Sequence, residues 1–335
     1  MRGQALCVKI KYMGTWQSAQ SRIKKKKKIK LAIAVLVIIL ATLIFGNSVK
    51  FLTGLLKPLD ASLLKRSIMW DGGSNLYLAV KSGENISLLI LNPTEKKVMV
   101  LDIPPETEIN VPGGFGSWPV RSIFGLGEKK SQGATLLKNS LSDFYGLPVS
   151  GYLETQLSPL EAVKVLKNNP LPSLTGRSQQ RSDLTIFELL RLYLCLGAVR
   201  SDKITELDLL ALEVLDPFNL ADGTKVYRAN SRLDTFIQEN LSEPKIKSEQ
   251  LSVAVLNGTN HSGLAQRASR MISNLGGNVI ITDNTSLIPN SFVTGQGSFT
   301  KNKLTEIFSS KYAKINTQPA SRAQVVVYLG EDFKP

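Results

Sequence analysis

The sequence predicts an α/β chain in three parts: an N-terminal transmembrane helix, a larger α/β module, and a small C-terminal domain of βαβαβ order. Three observations predict it. An uncharged apolar run from Leu31 to Gly46 follows a lysine tract. From Asp71 onward, short aliphatic and β-branched runs alternate with turn-rich stretches and helical periodicities. Beyond Leu251, strand and helix patterns alternate regularly, which favours a partly parallel sheet.

The 335 residues suffice for two or three small domains. The formal net charge is +14, but residues 1–30 hold ten Lys/Arg and no acid, so the rest of the chain carries 31 Lys/Arg against 27 Asp/Glu. A body so nearly balanced lacks the dense positive face that binding to a phosphate backbone requires, and no nucleic acid is expected as a partner. The tract "SRIKKKKKIK" reads instead as an orientation signal that attracts acidic lipid headgroups.

The run "LAIAVLVIILATLIFG", residues 31–46, has Thr42 as its one clearly polar residue. At about 1.5 Å per residue it falls slightly short of a ~30 Å hydrocarbon core, and Ile29 with the snorkelling stems of Lys28 and Lys30 extends its reach. A cleaved signal peptide needs a small-x-small site, and "TLIFGNSVKF" offers only a poor one, so an uncleaved anchor is expected. Residues 1–30 then form a basic cytoplasmic tail and residues from about 47 lie outside, by the positive-inside rule. Cys7 and Cys195 fall on opposite sides of the membrane, which excludes an intramolecular disulfide. Two separated Cys and one His give no zinc-ligand spacing.

Residues 47–70 read as a juxtamembrane stalk, broken at Pro58. An extracytoplasmic module follows over 71–241. In it "NLYLAVK", "ISLLILN" and "KVMVLDIP" read as consecutive antiparallel strands, and a helix over 132–145 stops at Gly146. Ser158, Pro159 and Glu161 open another helix with a capping box. The next, Leu184 to about Val199, is apolar nearly all round, opened by Ser182 and Asp183, with Glu188 and Arg191 at pairing distance and Cys195 as a small core residue. Sixteen residues with two charges fit a buried or interfacial helix better than a second span. A short strand and a helix capped by Ser231 come next. "SEPKIKSEQ", residues 242–250, is charged and contains Pro244, so it reads as a linker.

The C-terminal domain, 251–333, is expected to run strand Leu251–Leu256, helix Gly263–Leu275, strand Asn278–Thr282, helix Lys301–Phe308 and strand Gln324–Leu329. Its turn "LNGTNHSGLA" sets Gly258 and Gly263 with four residues between them, as in a P-loop. A P-loop needs Lys and Ser/Thr directly after the second glycine, and here stand Leu264 and Ala265. His261 has no neighbouring Cys to activate, and Ser262 is better placed as a helix cap. Asn257 and Gly258 therefore shape a turn, and Gly263 permits a close helix start.

"LSVAVLNGTNHSGLAQRASRMISNLGGNVIITDN", closed by "AQVVVYLGEDF", resembles the LytR C-terminal domain carried by many LytR-CpsA-Psr envelope proteins. "ISLLILNPTEKKVMVLDIPPETEINVPG" and "SQGATLLKNSLSDFYGLPVSGYLE" are similar to the catalytic LytR-CpsA-Psr domain over about Asn75 to Thr155. The resemblance implies a degenerate LytR-CpsA-Psr-like module with a mixed sheet, in a membrane-tethered bacterial protein facing the cell wall. Active members move glycopolymer from a polyprenyl-pyrophosphate carrier to the wall with magnesium. The family's pyrophosphate-holding arginine after "IP" is here Pro105, followed by Glu106 in place of Asp; proline offers neither charge nor donor. "TGRSQQRSD" echoes the family's later arginines with Arg177 and Arg181, and Arg121 is a further cation for a lipid pyrophosphate. Asp71 and Asp102 are the candidate magnesium ligands, against a simpler role as turn formers. The expected function is binding of cell-wall polymer or an envelope protein partner. The rival is a magnesium-dependent glycopolymer phosphotransferase using those arginines.

Overall fold

The computed structural model describes residues 69–168, 181–308 and 322–333, all within one compact unit. The basic tail, the apolar run 31–46, the stalk up to residue 68, and Arg177 lie outside the described residues. Among the described residues, no helix is long and apolar enough to cross a membrane.

Strands β1 (Leu76–Ser82), β2 (Asn85–Asn92) and β3 (Lys97–Ile103) form an antiparallel meander, with Leu78 opposite Leu89 and Leu88 opposite Leu101. After the hairpin β4 (Glu108–Val111) and β5 (Gly116–Pro119) come helices α1 (Val120–Glu128) and α2 (Gly133–Tyr145). The chain returns as β6 (Gly151–Thr155), parallel to β1 and followed by α3 (Pro159–Asn168). A short β7 (Arg181–Ser182) and α4 (Ile186–Ala198) lead to β8 (Ile204–Asp208), parallel to β3. The result is a mixed six-stranded sheet of order β7-β6-β1-β2-β3-β8.

Strand alternation divides its side chains between two apolar layers. Tyr77, Ala79, Leu88, Ile90 and Leu101 face α1 and α2, whereas Leu78, Val80, Leu89 and Val100 face α3 and α4. A second hairpin, β9 (Leu215–Asn219) and β10 (Lys225–Ala229), precedes α5 (Arg232–Asn240).

Several expected local features change. The linker expected over 242–250 instead contains α6 (Pro244–Glu249), with Ile246 and Glu243 buried. Pro244 sits in the first turn, where its missing N–H costs nothing and its fixed φ favours a helix start. The Glu243 carboxylate accepts from Asn75 N–H at 2.6 Å, and Glu243 N–H donates to Leu275 at 3.0 Å, so this segment is a bonded joint. Trp70, assigned to the stalk, is buried in the fold.

Helix α4 is capped by Thr185 in a reciprocal box with Glu188, and not by Ser182 or Asp183. Ser182 Oγ donates to Tyr152 O, and Asp183 is turned towards Tyr152 N–H and Lys138. Glu188 and Arg191 both reach the backbone of Trp70. Ser231 stands at the N-cap of α5 without a side-chain bond; Asn230 Oδ1 accepts from Arg232 N–H instead. The Ser158–Glu161 box at α3 forms as the spacing predicts.

The C-terminal sheet has order β12-β11-β14-β13. Strand β11 (Ser252–Asn257) is parallel to both β12 (Asn278–Asn284) and β14 (Val325–Leu329). A strand the periodicity did not reveal, β13 (Phe292–Gly295), pairs antiparallel with β14; four residues ending in a glycine carry too little alternation to read. Helices α7 (Leu264–Asn274) and α8 (Phe299–Phe308) cover one sheet face through Leu264, Ala268, Ile272 and Leu304.

Candidate functional site

The β6–β7 edge of the large sheet gathers more charge than any strand pattern suggested. Tyr152 and Glu154 alternate onto the α1/α2 face of β6, and the parallel register sets Lys81 beside Glu154. Lys81 Nζ donates to Glu154 at 3.0 Å, and Arg181 lies 3.8 Å from the same carboxylate. Phe124 of α1 stacks on Tyr152 at 5.7 Å, with Lys81 Nζ 4.9 Å above the Phe124 ring. Burial, and then the Glu154 charge, push the Tyr152 phenol well above its ordinary range.

Beneath this cluster, Lys138 of α2 forms an ion pair with Asp183, both side chains buried. The other Asp183 oxygen accepts from Tyr152 N–H at 2.7 Å, fixing the carboxylate against β6. A paired and bonded charge is what burial demands, because an isolated one would be expelled or neutralised. Lys138 had a legible signal: it falls between Ala134, Leu137 and Leu141 on the apolar side of its helix. Asp183 gave none beyond a helix-start residue.

The predicted residues do not assemble into one cradle. Arg121, in the first turn of α1, pairs with Glu106, the residue beside Pro105. Arg181 pairs with Glu154, as described above. Asp71 accepts from Gly73 N–H, Ser74 N–H and Ser74 Oγ, and so closes a turn. Burial tends to raise its carboxyl, but the Gly73 bond, the Lys303 charge and the Ser74 bonds outweigh it and hold the pKa below the usual range. Asp102 accepts from Ser87 Oγ at 2.6 Å, level with Val80 in the sheet, whereas Asp71 precedes the opposite end of β1. Four residues of strand, about 13 Å, already separate Asp102 from the Leu76 end. The two aspartates do not form a common magnesium site, and among the described residues no three His/Cys/Asp/Glu side chains cluster to hold a metal.

In the layer between the sheet and α1/α2, Tyr77, Ala79, Leu88, Ile90 and Leu101 are 0–3% exposed and form part of the apolar core. Cys195, half-buried on α4, has its thiol pKa raised by burial, consistent with a packing role.

The turn of the C-terminal domain is built as its residue types require. Asn257 Oδ1 accepts from Thr259 N–H at 3.2 Å, and its Nδ2 donates to His261 O at 2.9 Å. Gly258 lies where a Cβ would meet Ile288 at 2.5 Å. Gly263, at φ +82°, occupies the left-handed region and is itself the N-cap, so Ser262 is not the cap. His261 is exposed, 3.9 Å from Glu331. Residues 250–333 match the family described as LytR cell envelope-related transcriptional attenuator, LytR_C. This segment is a LytR_C domain.

The LytR_C domain is fastened to the upstream module through the polar side of α7. Arg270 donates to the carbonyls of Asp143 and Phe144, Asn274 to that of Tyr145, and both side chains also bond Asp234 of α5. These are the last carbonyls of α2, which lack partners within their own helix. A cation there also complements the helix dipole. Gly146, left-handed at φ +57°, admits this contact, since a Cβ would meet Asn274 Nδ2 at 2.7 Å. Sequence reading took the apolar stripe of α7 and passed over Arg267, Arg270 and Asn274 on its other side.

Solved structures with similar folds include Bacillus subtilis TagT (14% identity, covering 53% of this chain and 93% of that one, TM-score 0.38) and B. subtilis TagV (10%, 64% and 100%, 0.38). A structure titled TagT bound to LIIa-WTA is similar at 12% identity, covering 53% and 95%, with TM-score 0.38. Comparison with curated proteins gives no match.

Proposed function

We propose that this chain is a single-pass, membrane-anchored, extracytoplasmic cell-envelope protein that binds wall glycopolymer or an envelope partner. The observation that carries the reading is the LytR_C domain at residues 250–333. The anchor reading of residues 31–46 and the basic tail place the folded unit on the outer side of the membrane.

Binding is favoured over transfer by the charge arrangement upstream. Pro105 stands where the resemblance calls for an arginine, and Arg121 is neutralised by Glu106. Lys81, Lys138 and Arg181 each have a carboxylate partner, so an incoming pyrophosphate would have to displace Glu154 or Asp183 to gain their charge. Asp71 and Asp102 offer no shared metal site, and no step is assigned to magnesium.

The rival reading, magnesium-dependent glycopolymer phosphotransfer, draws on Arg121, Arg177 and Arg181 as charge stabilisers. Incubating the full chain in detergent with magnesium and a radiolabelled polyprenyl pyrophosphate separates the two. The binding reading expects no release of labelled phosphate. Release that disappears in the exposed-residue variants Arg181→Ala and Arg121→Ala, with thermal unfolding unchanged, would establish catalysis.

A further inference from the structure

Helix α4 has two apolar faces, and the fold uses one. Leu189, Leu192 and Leu196 bury against the sheet, while Phe187, Leu190 and Leu194 stand 38%, 42% and 62% exposed. At about 100° per residue these three fall within one arc, opposite the buried set, with Arg191 at its flank. An outward ridge of three large apolar side chains on one helix is costly in water and calls for a second partner.

The start of the folded unit lies on this same helix. Trp70 N–H donates to Glu188 at 2.7 Å, and Arg191 returns a bond to Trp70 O at 3.0 Å. Met69, just before, is 52% exposed. Only residues 47–68 separate the apolar run 31–46 from this point, and they carry Lys50, Lys57, Lys65 and Arg66 against the single acid Asp60. Arg200, paired with Asp202 at 3.0 Å, and Lys203, all exposed, follow the other end of α4. An apolar ridge bordered by cations, at the place where the chain arrives from its anchor, has the character of an interfacial helix and not of a protein–protein groove.

We propose that the outward face of α4 rests on an anionic lipid bilayer, with Phe187, Leu190 and Leu194 in the boundary between headgroups and acyl chains. The proposal rests on the reading of residues 31–46 as a membrane anchor.

The test uses the full chain carrying Cys7→Ser and Cys195→Ala, with one new cysteine at a time bearing an environment-sensitive fluorophore. Leu194→Cys reports the ridge, Leu287→Cys an exposed site on the LytR_C domain, and Ile38→Cys the anchor. Each is placed in nanodiscs containing phosphatidylglycerol and lipids brominated on the acyl chain. Strong quenching at 194 and 38 with none at 287 is the expected result. Quenching at 38 without quenching at 194 overturns the docking of α4 and leaves the anchor standing. Absence of quenching at both overturns the anchor reading and the proposal together. Excimer emission between pyrene labels at 194 on two chains, without lipid quenching, assigns the ridge to a second copy and also overturns it. Leu190→Glu in the 194-labelled chain is expected to abolish the quenching while thermal unfolding in detergent stays unchanged.

Discussion

Replacing Asn274 with alanine tests how firmly the LytR_C domain is joined to the module before it. Asn274 is fully buried, and its amide donates to Tyr145 O and Asp234 Oδ1, both at 2.9 Å, while its oxygen accepts from Gln238 at 3.0 Å. Neutral bonds are worth about 1 kcal/mol each, and the bond to the Asp234 carboxylate about 1.5–3 kcal/mol. Alanine also leaves the Tyr145 carbonyl, the last of its helix, buried without this donor. With the stranding of that buried polar group included in these costs, the total expected is about 3.5–5 kcal/mol. At about 2–4 °C per kcal/mol for a unit of this size, the transition should fall by roughly 10 °C. Differential scanning calorimetry of the full chain in detergent reads the shift, and hydrogen exchange should speed up at residues 142–149. A shift under about 2 °C with unchanged exchange would refute the joint as described.

Three further outcomes follow from the same geometry. Lys138→Met strands the Asp183 carboxylate without its lysine, and should cost about 3–5 kcal/mol in denaturant titration, with Lys138→Met/Asp183→Asn recovering much of the loss; a single-variant cost below about 1 kcal/mol would contradict the buried pair. Burial tends to raise the Asp234 carboxyl, but the bonds from Arg270 and Asn274 outweigh it and hold the folded pKa below 3.8. Stability from this group is therefore present above about pH 4 and lost as pH falls through the folded value, so the deficit of Asp234→Asn at pH 7 should vanish in strong acid; a deficit that persists there would contradict it. A periplasmic-type reporter enzyme fused after Pro335 should be active outside the cytoplasm, and cytoplasmic activity would reverse the topology.

How far the sequence was legible depended on whether a signal was local. The meander β1–β3, the α3 capping box and the C-terminal strand–helix order are written in contiguous periodicity and turn chemistry, and they appear in the structure. The misread segments share a different cause. Pro244 looked like a breaker because its helix is short, and its place in a first turn is evident only once Glu243 is tied to Asn75 across 168 residues. Ser182 and Asp183 looked like caps because their actual partners, Tyr152 and Lys138, are 30 and 45 residues away. The candidate site was legible only in part for the same reason. Residue types nominated Arg121, Arg181, Asp71 and Asp102, but their pairing with Glu106, Glu154, Ser74 and Ser87 is set by register and tertiary packing.

The central claim is that the folded unit binds wall polymer or an envelope partner and does not turn polymer over. The most direct measurement is titration of the full chain in lipid nanodiscs with purified, fluorescently labelled wall glycopolymer in the presence of magnesium, following anisotropy and phosphate release together. Saturable binding with no phosphate released is the expected result. Release of phosphate in step with binding would contradict the account, and absence of binding would remove the polymer and leave an envelope partner.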